Sequence, residues 1–193
     1  MRTISFFCFL SFLFINFENT QAQVKRMDST LQIGKVGFRV FCNNKNPGQN
    51  ELGIKPVGFD HTTRQLNFYI NGRVTKAEID DLNNDGYPDL LVYIFGDTDG
   101  VYGNAYGFAS VENKSIVPFA LPDILLDPKI KEGYRGHDEF SLMEGLLIRQ
   151  FPRYKPGDEK NKPTGGKRVV NYQMHATGNG RFSFIMLRYY DLK

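Results

Sequence analysis

The run Leu90-Leu-Val-Tyr-Ile-Phe95 constrains the fold more than any other stretch of the chain. Six consecutive apolar residues bounded by turn signals predict a strand buried on both faces. Pro88 has no N–H to donate, so pairing is expected to begin after it. No segment elsewhere carries a long apolar period of 3.6 residues. Short alternating runs are separated instead by Gly- and Asn-containing turns. That pattern predicts an all-β, single-domain antiparallel β-sandwich or partly closed barrel. The acidic turn before Leu90 occurs once, which argues against a repeat architecture such as a propeller.

Read in order, residues 23–34 are expected to form a loose arm and residues 35–193 the β-sandwich domain. Val36–Cys42 alternates and predicts a strand with Val36, Phe38, Val40 and Cys42 on one face. Residues 43–53 read as a polar loop and 54–59 as a short strand. Residues 65–70 and 74–79 flank Asn71-Gly72, the strongest short hairpin signal in the chain. A second hairpin is expected over 107–119 and a helical turn within 124–132. Residues 138–151 predict a strand pair or one bent strand, 154–168 a loop, and 168–192 a third hairpin.

Met1–Ala22 has one basic residue, an apolar core over 4–17, and a small residue at its end, which predicts a cleaved secretory signal, with a retained N-terminal anchor as the alternative. It implies a periplasmic or secreted protein with no membrane association after cleavage. Removing it takes away one basic and one acidic residue, so the formal charge stays at +3. So mild a charge, without a basic aromatic-laced cluster, gives no reason to expect nucleic acid as a partner. Removing Cys8 leaves Cys42 alone, and its strand context predicts a small buried hydrophobe. The sequence leaves monomer and homodimer open.

Two stretches around the Leu90 strand carry candidate sites. Asp81, Asn83, Asp85, Tyr87 and Asp89 occupy positions 1, 3, 5, 7 and 9 of a loop with Gly86 at position 6. Oxygens at alternating positions and a Gly at the sharp bend are what a structural Ca²⁺ ion requires. Position 12 is Val92, not Glu, so this is no EF-hand. The spacing resembles the calcium loops of FG-GAP and VCBS β-repeats. The same residues also make a plain Asx/Gly turn, and both readings stand. On the other side of the strand, residues 96–107 hold four glycines, two Asp and two Tyr. A Gly-rich loop bearing aromatic side chains on a rigid strand is a common binding device. Asp99, Gly100, Val101, Tyr102 and Tyr106 are its candidate contact residues. The acidic turn is expected to rigidify the base of this loop.

Nothing points to catalysis. His61, His137 and His175 show no metal-ligand spacing, and no G-x-S-x-G or C-x-x-C occurs. The carboxylate pairs Asp97/Asp99 and Asp138/Glu139 lie on a loop or alternate across a strand, so no assembled acid–base constellation is legible. Arg149 and Arg153 read as solvated or paired at a strand edge, and Tyr134-Arg135-Gly136 as a possible second contact loop.

Five segments together resemble one family. They are Asp81–Tyr93, Ala105-Tyr-Gly-Phe, Tyr134-Arg-Gly-His-Asp-Glu-Phe, Leu147-Ile-Arg-Gln-Phe-Pro-Arg-Tyr and Pro163-Thr-Gly-Gly-Lys-Arg. This set is similar to the periplasmic inhibitors of i-type (invertebrate) lysozyme, over most of residues 35–190. The resemblance implies an exported β-sandwich that inserts a loop with a Ser-Gly-x-Tyr-like motif into the lysozyme cleft. Gly100 and Tyr102 match that motif, and Asp99 stands in place of its Ser. A Ser donates a hydrogen bond to a catalytic carboxylate, whereas an ionised Asp99 repels it. Either the target offers a basic group at that point, or the target differs, or inhibition is lost. A glycan- or surface-protein-binding module of the VCBS type is the other functional reading.

Overall fold

The computed structural model describes residues 25–61, 64–96 and 101–193. The expected leader over Met1–Ala22, and the loop residues Asp97, Asp99 and Gly100, lie outside that set.

Among the described residues, twelve strands form three antiparallel sheets of four. The first holds β1 (Met27–Ile33), β2 (Val36–Cys42), β3 (Asn50–Val57) and β4 (Leu66–Ile70). The middle sheet holds β5 (Arg73–Asp80), β6 (Asp89–Gly96), β7 (Tyr102–Val111) and β8 (Ser115–Ala120). The third holds β9 (Glu139–Met143), β10 (Leu146–Pro152), β11 (Lys167–Gly178) and β12 (Arg181–Leu192). Within each sheet, strands adjacent in sequence are adjacent in space. A 3-10 turn over Ile124–Leu126, capped by the Asp123 side chain, lies on the way to the third sheet. No helix among the described residues is long and apolar enough to cross a membrane.

The apolar run of β6 has a direct structural counterpart. Leu90, Val92 and Ile94 join Phe38, Val40, Leu52 and Ile54 in a core against the first sheet. Leu91 and Tyr93 join Leu147, Val170, Tyr172 and Phe184 in a second core against the third sheet. The middle sheet therefore has an apolar core on each face, and the molecule is a three-layered sandwich. A strand so placed has no solvent side and needs no polar alternation.

Three expectations require correction. The supposed arm is strand β1, paired along its length with β2 from Met27↔Cys42 to Ile33↔Val36. Asn50–Gly53, expected in a loop, opens β3. Asn71-Gly72 closes no hairpin, because β4 pairs with β3 while β5 pairs with β6. It is a corner between two sheets. Gly72 has φ +125°, and a Cβ there would lie 2.4 Å from the Phe95 carbonyl oxygen. Buried asparagines hold the corner: Asn44 Nδ2 donates to Val74 O at 2.8 Å while its Oδ1 accepts from Val74 N at 2.9 Å. Asn50 Nδ2 donates to Gly72 O at 2.7 Å. The local turn preference yields because Val74 gains burial in the core between the first and middle sheets.

Candidate functional site

The β6–β7 connection is much shorter than the composition of 96–107 suggests. Gly96 already pairs with Tyr102, and Gly103 to Tyr106 pair onward with Phe95 to Val92. Tyr106 thus lies within β7, half-buried, rather than on a projecting loop. The glycines here serve close packing. A Cβ on Gly103 would meet the Phe140 ring at 2.7 Å, and one on Gly107 would meet the Phe119 ring at 2.1 Å. Of the expected contact residues, Val101 is half-buried and Tyr102 is 43% exposed.

The end of β7 extends past its neighbour, since β8 pairs only with Tyr106 to Val111. Side chains and a neighbouring segment occupy the place of the missing strand. His137 N donates to Val101 O at 2.6 Å, and Gly136 at φ +84° leaves no room for a Cβ, which would lie 2.8 Å from that oxygen. The Asp138 carboxylate, with no exposed side-chain surface, accepts from Gly103 N at 2.7 Å and from the Tyr134 hydroxyl at 2.6 Å. Arg149 Nε donates to the other carboxylate oxygen at 2.7 Å. Its terminal nitrogen donates to Gly103 O at 3.2 Å and to the Tyr134 hydroxyl at 2.8 Å. Burial opposes the Arg149 charge, but Asp138 beside it outweighs burial and holds its pKa above the ordinary value. Burial raises the Tyr134 phenol most strongly, and the Asp138 carboxylate adds to it. The Tyr134 ring packs edge-on against Phe151 at 4.9 Å and against Tyr102 at 6.0 Å.

Beside this cluster opens a cleft of about 340 Å³, lined among others by Tyr102, Asn104, Tyr106, Leu125 and Tyr134. Leu125, on the 3-10 turn, is 54% exposed. Aromatic rings, an amide and an apolar side chain around an open cleft can hold a protein side chain or a sugar ring.

The acidic turn is remote from this site. It joins the far end of β6, so about seven strand residues, roughly 23 Å, separate it from Gly96. It cannot brace the β7 end, contrary to the sequence expectation. Its oxygens are largely taken by the turn itself. Asp81 accepts from Asp85 N at 3.0 Å and Gly86 N at 2.8 Å. Asp85 accepts from Tyr87 N at 2.9 Å and from Asn83 Nδ2 at 2.9 Å. Asp89 is fully buried and turns inward, accepting from Leu82 N at 3.1 Å and Ser110 N at 2.8 Å. Burial pushes its carboxyl up to about 7, against the pull of those two N–H groups. Among the described residues no three Asp, Glu, His or Cys side chains gather as a cation site. The geometry is that of an Asx/Gly turn.

Sequence reasoning missed Asp138, Arg149 and the full role of Tyr134. A signal for Arg149 was present. Along β10, Leu147, Arg149 and Phe151 are all buried, while the residues between them are half-buried. The period of two that places Leu147 and Phe151 inside places Arg149 there with them. Cys42 is buried as expected, and burial raises its thiol pKa. His61 and His175 are exposed. A comparison with protein-family models, with curated proteins and with solved structures found no match for this chain.

Proposed function

We propose that this chain is an exported protein-binding inhibitor that offers Tyr102, at the β6–β7 end, to the concave active site of a lysozyme of the i-type. The observation that carries the reading is an exposed aromatic ring standing on a strand end whose backbone is pinned from the side at Val101 and Gly103. A rigid aromatic anchor loses little conformational freedom on docking and fits the anatomy of a binding hot spot. The class of target comes from the sequence resemblance, and export from the leader at Met1–Ala22. Asp99 and Gly100 would precede the anchor in the inserted segment.

The test is inhibition of i-, c- and g-type lysozymes by the purified 23–193 protein, beside Tyr102→Ala. Selective inhibition of the i-type enzyme, weakened at least about tenfold by Tyr102→Ala, is the expected result. Inhibition that Tyr102→Ala leaves intact would remove Tyr102 as the anchor. A glycan-binding module is the second reading, and the cleft favours it, because its tyrosines and Asn104 are the side-chain types that stack on and hydrogen-bond to sugars. Binding of soluble peptidoglycan fragments without any effect on lysozyme would select it.

A further inference from the structure

We infer that Asp138, Tyr134 and Arg149 are positioning residues that hold Tyr102 in one place and thereby set the affinity of the β6–β7 end for its partner. The inference rests on Tyr102 being the anchor, as proposed above.

The argument begins with hydrogen-bond accounting. Beyond the end of β8, the outward N–H and C=O groups of β7 have no strand to pair with. Such groups on a projecting edge ordinarily face water and fray. Here each is met. Leu121 N donates to Ala105 O at 2.9 Å, and His137 N to Val101 O at 2.6 Å. Between them, the Asp138 carboxylate accepts the Gly103 N–H and the Arg149 guanidinium donates to the Gly103 carbonyl. An acid and a base thus reproduce, with side chains, the two hydrogen bonds of a missing strand residue. Tyr102 sits between the two residues so fixed.

A second argument is energetic. A buried ion pair is rarely the cheapest way to fill a core, since apolar residues of similar volume commonly serve as well or better. Asp138 and Arg149 have side chains only 0% and 3% exposed. They lie among Phe140, Phe151 and Tyr134, where an apolar pair would pack. What an apolar pair cannot do is bind both backbone groups of Gly103. The cluster also links two layers, because Gly103 belongs to the middle sheet and Arg149 to the third. The position of Tyr102 is therefore referred to the body of the molecule rather than to its own hairpin. Fixing it before binding lowers the ordering cost at the moment of association.

The test uses Asp138→Asn and the double variant Asp138→Leu/Arg149→Met in the 23–193 protein, with Tyr102→Ala alongside. The double variant guards against misfolding, since it leaves no unpaired buried charge. Amide exchange at Tyr102 and Gly103 is expected to rise at least about tenfold in the double variant, with amides of Val92 and Ile148 unchanged. Binding to an i-type lysozyme is expected to weaken about tenfold at unchanged melting temperature. Unchanged exchange at Gly103 would overturn the inference. So would raised exchange with unchanged affinity, provided Tyr102→Ala does weaken binding. If the wild type binds no lysozyme, the functional reading fails by itself, and the exchange measurement still decides whether the cluster holds Tyr102.

Discussion

Asp89 shows how a residue's surroundings reverse its usual contribution to stability. Its carboxyl has no exposed surface, and burial raises its pKa from the ordinary 3.8 to about 7. A folded-state pKa above the unfolded one means that the folded state binds the proton more tightly between those values. The contribution of this group to stability is then greatest below pH 4, falls as pH rises toward 7, and levels off above. Asp89→Asn removes the titration. Between pH 5 and 7 the wild type is expected to lose on the order of 2 kcal/mol relative to that variant. Denaturant unfolding of both proteins across that range checks it, and a flat difference would place the proton elsewhere. Whether Asp89 faced a loop or the core was not legible in the sequence. Its spacing fits a cation loop, while its inward turn depends on the N–H of Ser110, which is 21 residues away.

Among the elements, the two ends of β6 behave differently from what their compositions imply. The Asp81–Asp89 turn is rich in carboxylates yet closes on its own amides, with Asp80 Oδ2 also accepting from Gly145 N at 3.1 Å. Excess EDTA is therefore expected to leave the melting temperature unchanged. Ca²⁺ at about 10 mM, beyond the weak end of the range of extracellular calcium modules, is expected to add nothing. A Ca²⁺-dependent rise of several degrees would show that the carboxylates leave their N–H partners for the ion. At the other end, glycines that suggest a long mobile loop belong to a strand that needs them for packing under Phe140 and Phe119. Hairpin signals divide in the same way. Asn179-Gly180 turns β11 into β12 with both residues at positive φ, as its sequence predicts. Asn71-Gly72 bears the stronger signal and is a corner instead. The first is decided locally, where both strands can pair at once. The second is overridden because Val74 belongs to the core under the middle sheet.

At the scale of the whole molecule, two apolar cores share one sheet, and β6 contributes to both. Its amides are expected to exchange slowest in the protein, near the limit of global unfolding, while β1 and β9 exchange faster as edge strands. Native-state hydrogen exchange read by mass spectrometry or NMR would test this order. Faster exchange in β6 than in β2 would mean that the layers open separately. The sequence by itself determined the all-β class, the alternating faces of β2, the burial of Cys42, and the two-faced burial of Leu90–Phe95. Each follows from local periodicity, because side chains alternate along a strand whatever lies beyond it. Only the tertiary structure decided that there are three layers, that β4 and β5 part company, and that Asp138 and Arg149 converge on Gly103. The last depends on contacts between residues 35 and 46 positions apart. No local pattern encodes such pairings; they arise when separate apolar faces compete for the same buried space.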